Sequence, residues 1–470
     1  MPLVFSLYLV AFLDRSNIGN AKTAGMSADL GINDMQFQWL LLIFYIPYIL
    51  FSPLVMALYS YRANIWTFGA VFLLGLFSLL QAPVKTFGGL MVLRFLIGFS
   101  EVAFAPGMPY YLSFFYRRTE IGSRCGVYLS AAPLASMISG LLAYGVSSRP
   151  HSIAGWRIFF TIEGILTIVL SIVAFVYLPN SPADTRTLRG AEIQVARDRI
   201  IMQSGSTARR DRFKSPRLNE IVEGLADLQT WIQSAMFFCC NVSFSSLPVF
   251  LPSILHSMGK TSVQAQGYTA GPYFAAFVVC WVSTILADKY QQRGITIGVL
   301  SSIGCSGYLI LAKVHDSFAV QYFAVFLVAA GVFPAIANIL PWSLNNQGTD
   351  TKRGLGIALL VMFGQCGPVI GLLQFNDEPY YTKSMFMCAG FMAVNALLAG
   401  ILRWRYVRKN KRLGTIFQGQ NQQVREAVGR VLGFKVSAND AVEALGGNDV
   451  PPPHSHPNDM QGARGYRYVL

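Results

Sequence analysis

Charge is scarce in this sequence. Only 13% of its 470 residues are Asp, Glu, Lys or Arg, against about 25% in a soluble globular chain. That deficit excludes an ordinary soluble domain. With 53% hydrophobic residues gathered in long runs, it means a polytopic membrane protein. Paired cysteine motifs are also lacking. The seven Cys lie mostly inside apolar runs, without a CxxC pair or zinc spacing, and read as small core residues. His454 and His456 stand alone in a Pro-rich tail, VPPPHSHPND, too few for a metal site. HExxH and GxSxG are absent. MGKT (258–261) lacks the glycine that a phosphate-binding loop needs five residues before Gly259. An enzyme is therefore not expected. Met1 to Leu13 has no basic lead-in, and the charged DRSN after it is a poor cleavage context. It reads as a first transmembrane helix whose cytosolic lead-in is short or missing.

What is present is a series of apolar runs of about 20 residues, the length that spans a bilayer. Twelve are expected. The first six are 2–20, 36–58, 65–82, 87–113, 124–146 and 157–178; the second six are 229–256, 266–287, 294–313, 318–344, 354–374 and 382–403. The fold class is all-α: twelve transmembrane helices in two six-helix bundles around a central cavity. Residues 1–178 form the N-terminal bundle, 179–226 a basic polar linker, 227–403 the C-terminal bundle, and 404–470 a polar tail expected to be disordered. Within the linker, Ala191 to Met202 is weakly amphipathic. The formal charge of +14 does not point to nucleic acid, because Lys and Arg fall in the loops and the tail. Most lie on the side of the termini and the linker, which puts both termini in the cytosol of an integral membrane protein.

Two stretches carry charge inside apolar runs. In Leu90 to Tyr111, Arg94, Gly98, Glu101 and Ala105 recur at four, three and four residues, hence on one helical face. A charge at mid-bilayer costs at least about 2.5–3.5 kcal/mol on insertion scales, so both must be paired or face a polar cavity. This face offers a cation, a backbone gap and a titratable acid, which suits holding an organic anion and moving a proton with it. The plainer alternative is an ion pair that locks two helices. Span one ends in Asp14 and Arg15, adjacent and so about 100° apart on a helix. They do not pair ideally with each other, and each seeks a partner elsewhere. Asp14 lies about 20 Å along an outward-running span and Arg94 about 10 Å down an inward-running one. In a core about 30 Å thick they share a depth. An Asp14–Arg94 pair is expected, with Arg15 and Glu101 nearer the substrate and bridged by it. The alternative is that DRSN is only an external helix end.

Weaker candidates follow. Tyr45 and Tyr48 in span two either hydrogen-bond a ligand or line an interface. Asn241 and Ser245 share a face of span seven and suit interhelical bonding as well as substrate contact. Asn338, Trp342 and Asn345 share a face of span ten, and Gln365 lies in span eleven; these are the expected second-half wall. Glu163 in span six lies about one and a half turns from Arg157, and a structural role is one reading of it.

Four blocks resemble a known family: LDRSNIGNAK (13–22), RFLIGFSEVAFAPGMPYYLSFFYRR (94–118), GWRIFFTIEGILTIV (155–169) with YLPNSP (177–182), and FPAIANILPWSLNN (333–346). Across nearly the whole chain the sequence resembles the anion:cation symporter branch of the major facilitator superfamily, nearest to fungal nicotinic acid and allantoate-type permeases. LADKYQQRG after span eight is similar to that superfamily's acidic-basic loop signature, with Asp288, Lys289 and Arg293 as the gating loop. Its counterpart after span two, ALYSYRAN, keeps only Arg62. The resemblance implies proton-coupled uptake of a small monocarboxylate or other organic anion by alternating access. It implies proton handling by Asp14 and Glu101, and carboxylate handling by Arg15 and Arg94. The implied partners are that anion, a proton and the bilayer. No cofactor beyond the proton gradient and no metal is expected, and the chain is read as a plasma-membrane monomer. An uncoupled facilitator and a non-transporting nutrient sensor are the alternatives. In mechanism, burial favours an acid's neutral form and a neighbouring cation its charged form. A substrate carboxylate that takes the Arg15 fork would then leave Glu101 to accept a proton.

Overall fold

The computed structural model describes residues 1–58, 63–113, 115–116, 118–148, 153–179, 190, 192–194, 218–347, 350–375, 381–432 and 469. Among them there are helices and turns but no strand. The first part holds α1 (Pro2–Thr23), α2 (Met26–Asp29), α3 (Asp34–Ile43), α4 (Tyr45–Leu58), α5 (Ala63–Gln81), α6 (Phe87–Phe104), α7 (Gly107–Leu112), α8 (Arg118–Ser147) and α9 (Gly155–Tyr177). The second holds α10 (Leu218–Ala226), α11 (Leu228–Ser257), α12 (Ser262–Tyr268), α13 (Ala270–Tyr290), α14 (Arg293–Lys313), α15 (Phe318–Asn346), α16 (Asp350–Gly364), α17 (Cys366–Leu373) and α18 (Thr382–Leu432). Among the described residues, eleven segments are long and apolar enough to cross a membrane. The twelfth expected span, α1, has the length, about 33 Å at 1.5 Å per residue. It falls outside that set because Asp14, Arg15, Asn17, Asn20 and Lys22 crowd its second half. Those groups are tolerated because most of that half is buried in protein.

Four helix breaks each lie just before a proline, while Pro53, Pro133, Pro248, Pro252, Pro334 and Pro341 remain inside continuous helices. A proline at position i removes the hydrogen bond to the carbonyl of i−4 and crowds it. Pro47, Pro109, Pro272 and Pro368 strike Ile43, Ala105, Tyr268 and Gly364, and the helices divide at Phe44, Ala105–Pro106, Thr269 and Gln365. Spans two, four, eight and eleven are therefore each made of two helices.

Met1–Gly400 forms one compact unit. Within it α1 lies against α8, α9 and α11; α8 also packs on α13 and α15, α4 on α6 and α16, and α5 on α9. Close approach depends on glycine at Gly98 of α6. A Cβ there would meet the Phe44 backbone carbonyl at the span-two break, so the expected backbone gap is filled by protein. Gly98→Ala is expected to cost about 1–3 kcal/mol through overpacking that backbone cannot relieve. Gly69→Ala, which meets nothing, should be silent. Thermal melting of the purified variants checks this, and equal melting points would refute it.

Two sequence expectations change. Leu218–Ala226, inside the expected linker, is helical. The last helix continues past residue 404 to Leu432, because Lys, Arg, Gln, Glu and Ala are good helix formers even where apolar residues thin out. Residues Ile401–Leu470 group as a second unit, in which the Arg408 guanidinium stacks on Trp404 at 3.5 Å. Most of the amphipathic 191–202 stretch and both tail histidines lie outside the described residues.

Candidate functional site

The site begins with two adjacent residues of α1 that diverge to two acid–base partners on α6. Arg94 donates to Asp14 Oδ2 at 2.7 Å, with side chains 3% and 0% exposed. Gln81 of α5 donates to Asp14 Oδ1 at 3.2 Å and Ser78 reaches it at 3.4 Å. Arg15 pairs with Glu101 Oε1 at 2.9 Å, with side chains 10% and 1% exposed. Each pair joins one short acid to one long arginine stem, so α1 and α6 are bridged by guanidinium reach. The Asp14–Arg94 pair stands where depth along the spans placed it. Arg15 and Glu101, expected to be bridged by a substrate, instead touch directly. The Arg15 fork is thus already occupied by a carboxylate.

Aromatic faces surround the Arg15 guanidinium. Phe44 and Tyr48 lie at 5.0 Å, Phe12 and Tyr45 at 5.8 Å. All four rings are buried. They favour a planar cation by cation–π attraction while keeping water away from it. Tyr48 also donates its hydroxyl to Glu101 Oε1 at 3.1 Å. Ring contacts lead on from this cage into the second part of the chain: Phe12 to Phe244 at 5.3 Å, Phe244 to Phe333 at 5.1 Å, Phe333 to Tyr273 at 5.7 Å. Tyr45 and Tyr48 were sequence candidates, whereas Phe12, Phe44, Phe244, Phe333 and Tyr273 were not, since aromatic rings in apolar spans carry no face label of their own.

The second-half candidates are less well gathered. Asn241 donates to the Phe237 carbonyl of its own helix at 3.0 Å. Asn338 donates to the Pro334 carbonyl at 2.9 Å and reaches Ser283 at 3.4 Å. Both amides are thus engaged within the second part of the chain. Trp342 is fully buried. Among the described residues, Asn338, Asn345 and Gln365 each bury a side-chain oxygen without a hydrogen-bond partner. Gln365 sits at the break in span eleven that Pro368 causes.

The expected gating loop is only a two-residue turn. Asp288 and Lys289 belong to the last turn of α13, and Arg293 opens α14. Gln291 in the turn has φ 54°. Arg293, fully buried, pairs with Asp288, and Asp288 also accepts from the Ser123 backbone N–H of α8. Lys289 does not join them; it is exposed and lies 5.9 Å from the Tyr290 ring.

One functional candidate was underrated. Glu163 of α9 is 1% exposed and accepts from Asn17 Nδ2 at 2.7 Å. Ser139 of α8 donates to Asn17 Oδ1 at 2.6 Å, and Asn20 donates to Ser139 at 2.7 Å. The signal was available: an acid inside an apolar span marks function by default.

Comparison with known proteins accords with this architecture. The Major Facilitator Superfamily sequence model matches residues 4–372. An uncharacterized transporter of Schizosaccharomyces pombe is 33% identical over 413 residues, covering 85% of this chain and 79% of that protein. The high-affinity nicotinic acid transporter of Saccharomyces cerevisiae is 28% identical over 436 residues, covering 90% and 79%. Among solved structures, the proton:xylose symporter XylE is similar with a TM-score of 0.66 at 13% identity, covering 86% of this chain and 96% of that one. At that identity the likeness is one of fold.

Proposed function

The chain belongs to the major facilitator superfamily and is a membrane transporter, not an enzyme, and from that premise we propose that it takes up a small organic anion together with a proton. The anion is a monocarboxylate of nicotinate or allantoate type. Transport proceeds by alternating access between two six-helix halves. The protein works as a plasma-membrane monomer with both termini and the linker in the cytosol, the side on which its basic loops concentrate.

The observation that carries this reading is the buried Arg15–Glu101 pair inside its ring cage. Arg15 is the group suited to a carboxylate, because its planar fork matches two oxygens. Its present partner is itself a carboxylate, so an anionic guest competes for the same geometry. When the guest takes the fork, Glu101 keeps only Tyr48 and loses its cation. A carboxylate stranded in low dielectric takes a proton instead of staying charged. Anion and proton then bind as a unit, and neither is carried well alone. The nicotinic acid transporter among its relatives supports the choice of anion.

Glu101→Gln tests this. With labelled nicotinate as probe in transporter-deficient cells, the wild type is expected to concentrate it more steeply as external pH falls. Glu101→Gln, permanently neutral, should equilibrate the probe without concentrating it and lose that pH dependence. Unchanged accumulation and pH response in the variant would remove Glu101 as the proton carrier. A wild-type plateau that a protonophore leaves untouched would indicate a facilitator, and binding without accumulation a sensor.

A further inference from the structure

Three carboxyl groups are buried among α1, α6 and α9, and they are not equally compensated. Asp14 has Arg94, Gln81 and Ser78 around it. Glu101 has Arg15 and Tyr48. Glu163 has one neutral amide, Asn17 Nδ2, on Oε2. Its Oε1 is buried and has no hydrogen-bond partner among the described residues. The charges acting on it are Asp14 from α1 with Arg94 and Glu101 from α6. From α5 the nearby network supplies only the neutral Ser78 and Gln81, and from α8 the neutral Ser139. Arg157, on α9 itself, is turned away to the Ala82 carbonyl at 2.8 Å and Asp29 at 3.1 Å. The cluster thus sets two arginines against three carboxyls, and each arginine is already paired with one of the other two acids, although Arg94 keeps Nε and Nη2 without a hydrogen-bond partner among the described residues. An ionised Glu163 would be a buried charge with no cation of its own, an arrangement proteins avoid by neutralising the group.

We propose that Glu163 is a second proton site, holding a resident proton that stays with the protein through transport. The proton is bound at Oε1, the oxygen that receives no donor, while Oε2 serves as the carbonyl that accepts from Asn17. With it in place, Asp14 and Glu101 balance Arg94 and Arg15, and the buried cluster is neutral. On the symport reading above, adding one monocarboxylate and one proton on Glu101 leaves the sum at zero, so no second proton need cycle. Loss of the Glu163 proton would instead put a net negative charge beside the incoming anion. Glu163 therefore governs the alkaline limit of transport, whereas Glu101 carries the coupled proton.

The test uses the purified full chain in lipid, comparing infrared spectra of the wild type and Glu163→Gln at neutral pH. A carbonyl stretch of a protonated carboxylic acid is expected in the wild type and absent from the variant. This reading needs no substrate, so it stands even if the chain does not carry nicotinate. Should Glu163→Gln fail to accumulate, Asn17→Ala supplies the second measurement. Removal of the hydrogen bond to Oε2 should move that same band to higher frequency. In uptake assays with labelled nicotinate, Glu163→Gln is expected to concentrate the probe at acidic pH as the wild type does. At alkaline pH its uptake should fall less steeply than that of the wild type, the remaining decline being that of the Glu101 proton. A protonated-acid band unchanged by both substitutions would overturn the proposal. So would a Glu163→Gln protein that folds yet cannot concentrate the probe at acidic pH, since the proton would then be a cycled one.

Discussion

Arg15→Ala is expected to lower carboxylate uptake about 100-fold or more. Two charge-assisted hydrogen bonds to a fork, at about 1.5–3 kcal/mol each, amount to at least about 3 kcal/mol. At 1.4 kcal/mol per tenfold, that is about two orders of magnitude. Arg15→Lys should retain part of the activity. Lysine keeps the charge but presents a point ammonium in place of a planar fork, and it stacks less well between the Phe44 and Tyr48 rings, each 5.0 Å from the guanidinium. The alanine variant has a second defect, because it strips Glu101 of its counter-ion at 2.9 Å. A double variant separates the two effects. Arg15→Ala with Glu101→Gln removes both charges together, so it should recover folded protein without recovering uptake. Initial rates of labelled nicotinate uptake, normalised to the amount of transporter at the surface, provide the measurement. Uptake by Arg15→Ala within about tenfold of the wild type would mean that the carboxylate is held elsewhere.

The pattern of charge within apolar runs carried much of the site into view before any coordinates. Asp14 and Arg94 share a depth because span one and span four are read as running in opposite directions. Rise per residue then suffices to match them, and the pair forms at 2.7 Å. What spacing along one helix does not encode is which face meets which neighbour. Arg15 therefore looked free to wait for a substrate, whereas it reaches Glu101 directly. Asn241 and Asn338 had the right helical faces, yet each amide finds a backbone carbonyl four residues back, a local alternative always open to a buried polar side chain. Glu163, about one and a half turns from Arg157 along its own span, is open to a structural reading from sequence. Its relevance depends on α9 packing against α1, which brings Asn17 within 2.7 Å of it. The helix breaks are an intermediate case. Each of Phe44, Thr269 and Gln365 follows from a proline and its i−4 carbonyl, but Pro53, Pro133, Pro248, Pro252, Pro334 and Pro341 stay inside continuous helices, so proline marks where a break is possible and tertiary packing decides which of them forms.

Removing either member of the Asp14–Arg94 pair is expected to destabilise the protein by about 3–5 kcal/mol, since it leaves the other charge buried and uncompensated. Against a total stability of about 5–15 kcal/mol, that is enough to deplete the folded transporter. Arg94 also keeps Nε and Nη2 buried without partners, so the pair is not fully satisfied and its net contribution to stability is small. Replacing both members by apolar residues of similar size, Asp14→Leu with Arg94→Met, should therefore restore most of the melting temperature that either single change loses. Gln81 and Ser78, which now face Asp14 Oδ1, would limit that recovery. The exchange Asp14→Arg with Arg94→Asp should recover part of the surface expression, though less cleanly, because it sets two arginines side by side at positions 14 and 15. The apolar double variant separates two roles. If the pair only locks α1 to α6, that protein folds and transports. If its charges set the field in which Glu101 and Arg15 exchange partners, the protein folds but its uptake falls by an order of magnitude or more. The buried position of the pair beside that exchange favours the second result. Thermal melting and labelled nicotinate uptake on the same preparations separate the two, and single variants that melt like the wild type would show that the pair holds nothing together.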